Sequence, residues 1–453
     1  MMPCPPLIQD DLINRYDKPG PHYTSYPPVT EFHDRISESD YREWARLSNE
    51  EPIPKPLSLY FHIPFCSSIC HYCGHNKMVA ANSERVESYL RDLAREIEIQ
   101  SSLFDLDREV RQLHWGGGTP GFLSHRQSQQ LMEKIARHFK LKDDGANDYS
   151  IEIIPRILAQ DGIAHLRKLG FARISMGVQD LDEEAQRETN IAQSLATTST
   201  VINDARRFGF RSINLDLVYG LPRQTAKSFA RTLATVIDLT PDRITIYDYA
   251  HLPHRSHPRW RGKAGNLADA NVAAAVLQTA IDKLLNAGYE YIGMNQFARR
   301  EDDLAIARQE GNLQRNFHGH STHGHCDSVG FGIAAISNVG DNFSQNTTDL
   351  DSYHEILHKR ELPVARGFHS KLDDLLRREI IHDLACHFRL DLHRVAKRWG
   401  IDFAQYFENE LRRLSDMEED GLVELREGEI VISETGRLLE RNICMVFDSY
   451  QQN

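Results

Sequence analysis

Cys66, Cys70 and Cys73 sit in Phe-His-Ile-Pro-Phe-Cys-Ser-Ser-Ile-Cys-His-Tyr-Cys-Gly, a Cys-x3-Cys-x2-Cys run on one short loop. Three thiolates so spaced can hold three irons of a cubane cluster and leave its fourth iron open, whereas a full set of four closes the cluster for electron transfer. Cysteine triads also bind zinc. Against zinc, no second Cys-x2-Cys pair follows at zinc-ribbon spacing. Gly116-Gly117-Gly118-Thr119 lets a ligand reach the backbone, because glycine carries no Cβ to block it, although a lone glycine triplet marks only a turn. Glu152 can accept hydrogen bonds from a ribose or an ammonium, where an isolated carboxylate would be a salt-bridge partner. His318, His320, His323 and His325 beside Cys326 suit zinc, copper, nickel or iron, the plainer alternative being a polar loop. Arg255, Arg259, Arg261 and Lys263 could meet carboxylates or form a solvated loop.

These groups need a scaffold. Pro52, Pro54 and Pro56 suppress helix and feed a strand over 57–63. Strand patterns recur at 112–115, 149–153, 173–178, 212–218 and 243–249, with amphipathic helices at 86–100, 127–138 and 228–237 between them. Such alternation predicts an α/β fold built of βα units around a parallel sheet, with functional loops at the C-terminal ends of the strands. The cysteine loop, the glycine run and Glu152 all fall at such ends. A helix is expected at 274–287 and a strand at 289–294. Beyond residue 360 the pattern predicts helices at 375–388, 393–399 and 403–417, a hairpin over 422–433 and a last helix at 436–450. That order suggests a winged-helix-like domain. Asp416, Glu418, Glu419, Asp420, Glu424 and Glu427 make it acidic, so a lid or docking role is expected rather than DNA binding.

Composition narrows the class. The chain has 453 residues, 40% hydrophobic, enough for one large domain and a smaller one. The domains are read as an arm at 1–50, a catalytic barrel with extension at 51–360 and a C-terminal domain at 361–453. A formal net charge of -12 without a basic face argues against nucleic-acid binding. Seven cysteines in so long a chain, three of them clustered, do not make a disulfide framework. The N-terminus lacks a basic start and an apolar core, and no apolar run reaches membrane-spanning length, so a cytoplasmic protein without a membrane span is expected.

The cysteine motif resembles that of radical S-adenosylmethionine (SAM) enzymes, in which SAM takes the open iron; Tyr72 matches the family's adenine-lining aromatic residue. From about residue 8 to 450 the chain resembles oxygen-independent coproporphyrinogen III oxidases. The resemblance rests on Leu59-Tyr60-Phe61-His62-Ile63-Pro64-Phe65-Cys66, Leu113-His114-Trp115-Gly116-Gly117-Gly118-Thr119-Pro120, Ser175-Met176-Gly177-Val178-Gln179-Asp180, Asp216-Leu217-Val218-Tyr219-Gly220-Leu221-Pro222 and Tyr249-Ala250-His251-Leu252-Pro253. Arg441-Asn442-Ile443-Cys444 separates this branch from shorter haem-chaperone relatives.

The resemblance implies an incomplete parallel (β/α)6 TIM-like barrel, a [4Fe-4S] cluster on Cys66, Cys70 and Cys73, and two SAM molecules. Tyr60, Gly117, Glu152 and Ile336 would surround the first, with Tyr60 and Glu152 taken as catalytic. Tyr72, Gly118, Thr119, Gln179, Asp216 and Ala250 would line the second. The implied reaction decarboxylates two propionates of a tetrapyrrole, coproporphyrinogen III, to vinyls. An electron donor such as flavodoxin or ferredoxin and a monomeric state are expected. The alternatives are a diverged radical SAM enzyme that modifies haem or another tetrapyrrole, and a haem-binding chaperone. The chain departs from the family at His75, where a non-ligand cysteine is usual, and at Ile191, where loss of an arginine removes a charged clamp on the second SAM. It departs also at His22 (arginine), Ile154 (aspartate) and His318 (glutamine).

Overall fold

The computed structural model describes residues 12, 15, 16, 18, 20–66, 78–79, 83–142, 147–189, 193–221, 223–249 and 270–451. Its contacts define two compact units, neither continuous in sequence. The larger contains His33–Ala280 and His325–His369; the smaller contains Met1–Phe32, Ile281–Gly324 and Ser370–Asn453.

Six parallel strands organise the larger unit: β1 (Leu57–Ile63), β2 (Glu109–Gly117), β3 (Asp148–Ile153), β4 (Arg173–Gln179), β5 (Ser212–Tyr219) and β6 (Arg243–Asp248). They pair in chain order, β1 to β6. On its other side β1 takes β7 (Asp327–Phe331) in parallel. An antiparallel extension follows, β8 (Ile336–Val339), β9 (Asn342–Asn346) and β10 (Val364–Phe368). Among the described residues no pairing joins β6 to β1, so the βα array is an open, incomplete barrel. The strands fall where the sequence pattern predicts them, β2 extending by two or three residues at each end and the others agreeing to within one residue.

Period-2 alternation gives the sheet two unlike faces. Leu59, Phe61 and Ile63 of β1, Leu113 and Trp115 of β2, and Ile151 and Ile153 of β3 are buried on one face. Phe61 stacks on Phe331 at 4.6 Å between ring centroids, and Trp115 meets Phe171 edge-on at 5.0 Å. The crossover helix Ser83–Ser101 buries Val86, Tyr89, Leu93, Ile97 and Gln100, spaced three or four apart as one helical stripe. The next, His125–His138, starts at a capping box in which Ser124 and Gln127 satisfy each other's backbone N–H.

In the smaller unit, helix Leu372–His387 leads into strand Arg389–Asp391, helix Leu392–Trp399, helices Phe403–Tyr406 and Glu408–Glu419, and the hairpin Val423–Arg426 with Glu429–Ile432. Arg389–Asp391 pairs with the second hairpin strand, completing a three-stranded winged-helix sheet. That strand is too short for the sequence pattern to expose. The helix expected over 403–417 breaks at Phe407, whose ring is fully buried edge-on against Phe447. In place of one helix over 436–450 stand a 3-10 turn (Gly436–Leu439), a short α-helix (Glu440–Cys444) and a second 3-10 turn (Met445–Phe447). The N-terminal arm is sewn into this unit. Tyr23 donates its hydroxyl to Asp448 at 2.9 Å, Tyr26 meets Ser449 at 3.0 Å, and Arg378 donates to the Tyr26 carbonyl at 2.7 Å.

Candidate active site

The second face of the parallel sheet is polar, although strands buried on both sides ordinarily read apolar throughout. Tyr60 and His62 alternate with the apolar residues of β1, as do His114 on β2, Ser150 and Glu152 on β3, Ser175 on β4, and Asn214 and Asp216 on β5. Register sets these side by side: Tyr60 pairs with His114, His114 with Ser150, Glu152 with Ser175, and Ser175 with Asn214. A polar layer is therefore built across five strands, and it must face something other than a hydrophobic core.

Glu152 is central to the layer. One carboxylate oxygen lies 3.3 Å from His114 Nε2, and the other accepts the Gly117 N–H at 3.2 Å. His114 is oriented from its other side by Ser150 Oγ at 2.7 Å from Nδ1, and its ring stacks on Tyr60 at 5.8 Å and 12°. The Tyr60 hydroxyl lies 3.1 Å from His62 Nδ1. Burial, and then the nearby Glu152 charge, push the Tyr60 phenol far above its usual range, so it remains neutral.

The glycines make room above this layer. Gly117 has φ +110, and a Cβ there would stand 2.6 Å from the His62 ring. A Cβ on Gly118 would fall 2.6 Å from the Pro64 carbonyl carbon, backbone that cannot yield. Gly118 N–H instead donates to Ile63 and Thr119 N–H to Phe65, locking the glycine turn against the entry to the cysteine loop. Cys66 is buried there with its sulfur 3.7 Å from Thr119 Oγ1.

Further round, Asp216 accepts from Ser175 Oγ at 2.6 Å and Asn214 Nδ2 at 2.8 Å, while Thr245 reaches Asn214 at 3.1 Å. Gln179 ends β4 at φ 68 after a break in register, a left-handed backbone uncommon for a residue with a side chain. Gly330, paired with Tyr60, lies so near Ile336 that a Cβ would be 2.5 Å from its carbonyl oxygen. The structure thus gathers Tyr60, Gly117, Gly118, Thr119, Glu152, Gln179, Asp216, Ile336 and Cys66 around one sheet face and its loops. Cys70, Cys73, Tyr72, His75, Ile191, Ala250, Arg255, Arg259, Arg261 and Lys263 lie outside the described residues. Motif reading missed His62, His114, Ser150, Ser175 and Asn214. Polar residues at every second strand position were the signal that could have found them.

The histidine run divides between the units, His318, His320 and His323 in the smaller, His325 and Cys326 in the larger. His320 is buried with Nδ1 3.0 Å from Gln296 Oε1 and 3.3 Å from Arg315. Burial pushes the Cys326 thiol up to about 12, which keeps it protonated.

A cysteine loop after the first strand, a glycine cradle after the second and a carboxylate ending the third define a radical SAM enzyme. The Radical SAM superfamily pattern matches residues 60–236, and the HemN C-terminal domain pattern matches 371–439. The oxygen-independent coproporphyrinogen III oxidase of Pseudomonas aeruginosa is 47% identical over 440 residues, covering 97% of this chain and 95% of that protein. Its Escherichia coli K12 counterpart is 43% identical, covering 97% and 94%. The solved E. coli coproporphyrinogen III oxidase (HemN), a radical SAM enzyme, superposes with a TM-score of 0.90 at 41% identity, covering 95% and 97% of the two chains. The chain belongs to the oxygen-independent coproporphyrinogen III oxidase family. With that family come a [4Fe-4S] cluster and SAM. No helix among the described residues is long and apolar enough to cross a membrane.

Proposed function

We infer that this protein catalyses oxygen-independent conversion of coproporphyrinogen III to protoporphyrinogen IX in haem synthesis. The observation that carries this is similarity to named coproporphyrinogen III oxidases across arm, barrel and C-terminal domain alike. Each of two propionates loses a hydrogen atom from its β-carbon, then carbon dioxide and an electron, leaving a vinyl group.

The residues fit the family's cofactors. Cys66, with Cys70 and Cys73, would hold the cluster, and the glycine cradle is space a Cβ would fill. Cluster and SAM, when bound, supply one-electron hydrogen-abstraction chemistry. The protein's share is positioning and exclusion of water. Tyr60, Gly117, Glu152 and Ile336 would surround the first SAM, and Tyr72, Gly118, Thr119, Gln179, Asp216 and Ala250 would line a second. Glu152, steadied by His114 and the Gly117 N–H, offers acceptors to the cofactor's ammonium or ribose. Tyr60, kept neutral by burial, adds no charge where a radical must survive.

Of the three domains, arm (1–50), barrel with extension (51–360) and C-terminal domain (361–453), the last serves as a lid or docking element. The enzyme works as a cytoplasmic monomer supplied by a flavodoxin- or ferredoxin-type donor. Anaerobic incubation of cluster-loaded protein with SAM, reductant and coproporphyrinogen III tests the reading. Carbon dioxide and divinyl product are expected; deoxyadenosine with haem consumption, or haem binding without SAM cleavage, would overturn it.

A further inference from the structure

Away from the barrel mouth, helix Leu350–His358 presents His354 and His358 four residues apart, hence on one face. Their ring centroids are 4.1 Å apart. Asp92, from helix Ser83–Ser101, points at both, with one oxygen 2.7 Å from His354 Nδ1 and the other 3.7 Å from His358 Nε2. The Asp92 side chain is only 3% exposed, whereas the histidines are 44% and 47% exposed. The three ligand atoms all lie within 4.8 Å of one another. Zinc bound tetrahedrally at about 2.0–2.1 Å sets its ligand atoms roughly 3.3 Å apart, so small rotamer shifts suffice.

We propose that Asp92, His354 and His358 form a site for one divalent transition-metal ion of the zinc, nickel or copper class. The metal-free contacts already mark the position. Arg95 lies with one guanidinium nitrogen 2.7 Å from both Asp92 Oδ1 and His358 Nε2. A guanidinium can only donate, so His358 presents an unprotonated nitrogen to a cation, the form that ligates metal. Arg95 is 41% exposed and can withdraw into water as the ion enters. His354 Nδ1, which now donates to Asp92, takes the metal in the other neutral tautomer, with its proton carried on Nε2. The two helices also brace the active site: Tyr89 donates to the His62 carbonyl at 2.6 Å, and Tyr353 donates to Glu96, which accepts the Gly332 N–H. Clamping them would stiffen the strand that feeds the cysteine loop.

The test is anaerobic equilibrium dialysis of cluster-loaded, full-length protein against graded zinc chloride, with zinc and iron counted together by mass spectrometry. One zinc per chain is expected, with iron content unchanged and a raised Tm. His354→Ala and His358→Ala should each weaken zinc binding by about tenfold to a hundredfold while holding full iron content. Arg95→Gln removes the competing cation and should tighten it by about tenfold. Uptake that both histidine variants keep, or that occurs only as iron is lost, or that Arg95→Gln weakens, would overturn the proposal. So would the absence of stoichiometric zinc.

Discussion

His114 holds Glu152 in place from a ring that is itself fixed by Ser150 and by stacking on Tyr60. His114→Phe keeps the stack but removes both polar contacts. It is expected to raise the KM for SAM about tenfold, a loss near that of one hydrogen bond to a charged group, with the cluster absorbance intact. A fall in iron content would instead assign His114 to the cluster. Gly118→Ala drives a Cβ into backbone, so the cysteine loop cannot dock. That variant should lose about 1–3 kcal/mol and most of its brown chromophore, read by iron analysis and absorbance. At this scale the sequence exposed the three cysteines and the glycine run through their spacing, and Glu152 through its place at a strand end. It hid His114, Ser175 and Asn214, since their meaning depends on which strand lies alongside.

Strand β1 is held in register with a partner about 270 positions later by a buried ion pair. Arg108 donates to Asp327 at 2.6 Å, with side chains 2% and 1% exposed. Arg108 also donates to the Lys55 carbonyl at 2.8 Å and to Ser48 and Asn49 at 3.0 Å, and Asp327 accepts the Gly340 N–H at 2.9 Å. Asp327→Ala leaves a guanidinium buried without its counter-charge and should cost about 3–5 kcal/mol, measured by urea unfolding. A loss under about 1 kcal/mol would mean water reaches Arg108. Strand existence was legible from apolar alternation. The pairing was not, because Arg108 and Asp327 lie in unlike contexts and nothing local links them. Likewise the interruption at Phe407 follows from a ring being taken into a core made by Phe447, a distant residue.

Three separated stretches build the smaller unit, and Glu440 joins two of them. It is 2% exposed, with one oxygen accepting the Tyr291 hydroxyl and the Met294 N–H and the other without a partner. Burial pushes its carboxyl from 4.5 up to about 7. The folded chain keeps this proton where the unfolded chain has released it, so stability falls as pH rises from about 4.5 to about 7. Glu440→Gln stays neutral and should flatten that slope, gaining on the order of 3 kcal/mol over the parent at pH 8 and little at pH 5. Parallel Tm curves for the two proteins would refute it. By itself, the sequence determined the cysteine triad, the glycine cradle and the succession of strands and helices, because each is written in neighbouring residues and their period. Tertiary structure alone decided the polar sheet face, the Arg108–Asp327 anchor and the Asp92–His354–His358 cluster, because each joins residues that only long-range pairing and packing bring within a few ångströms.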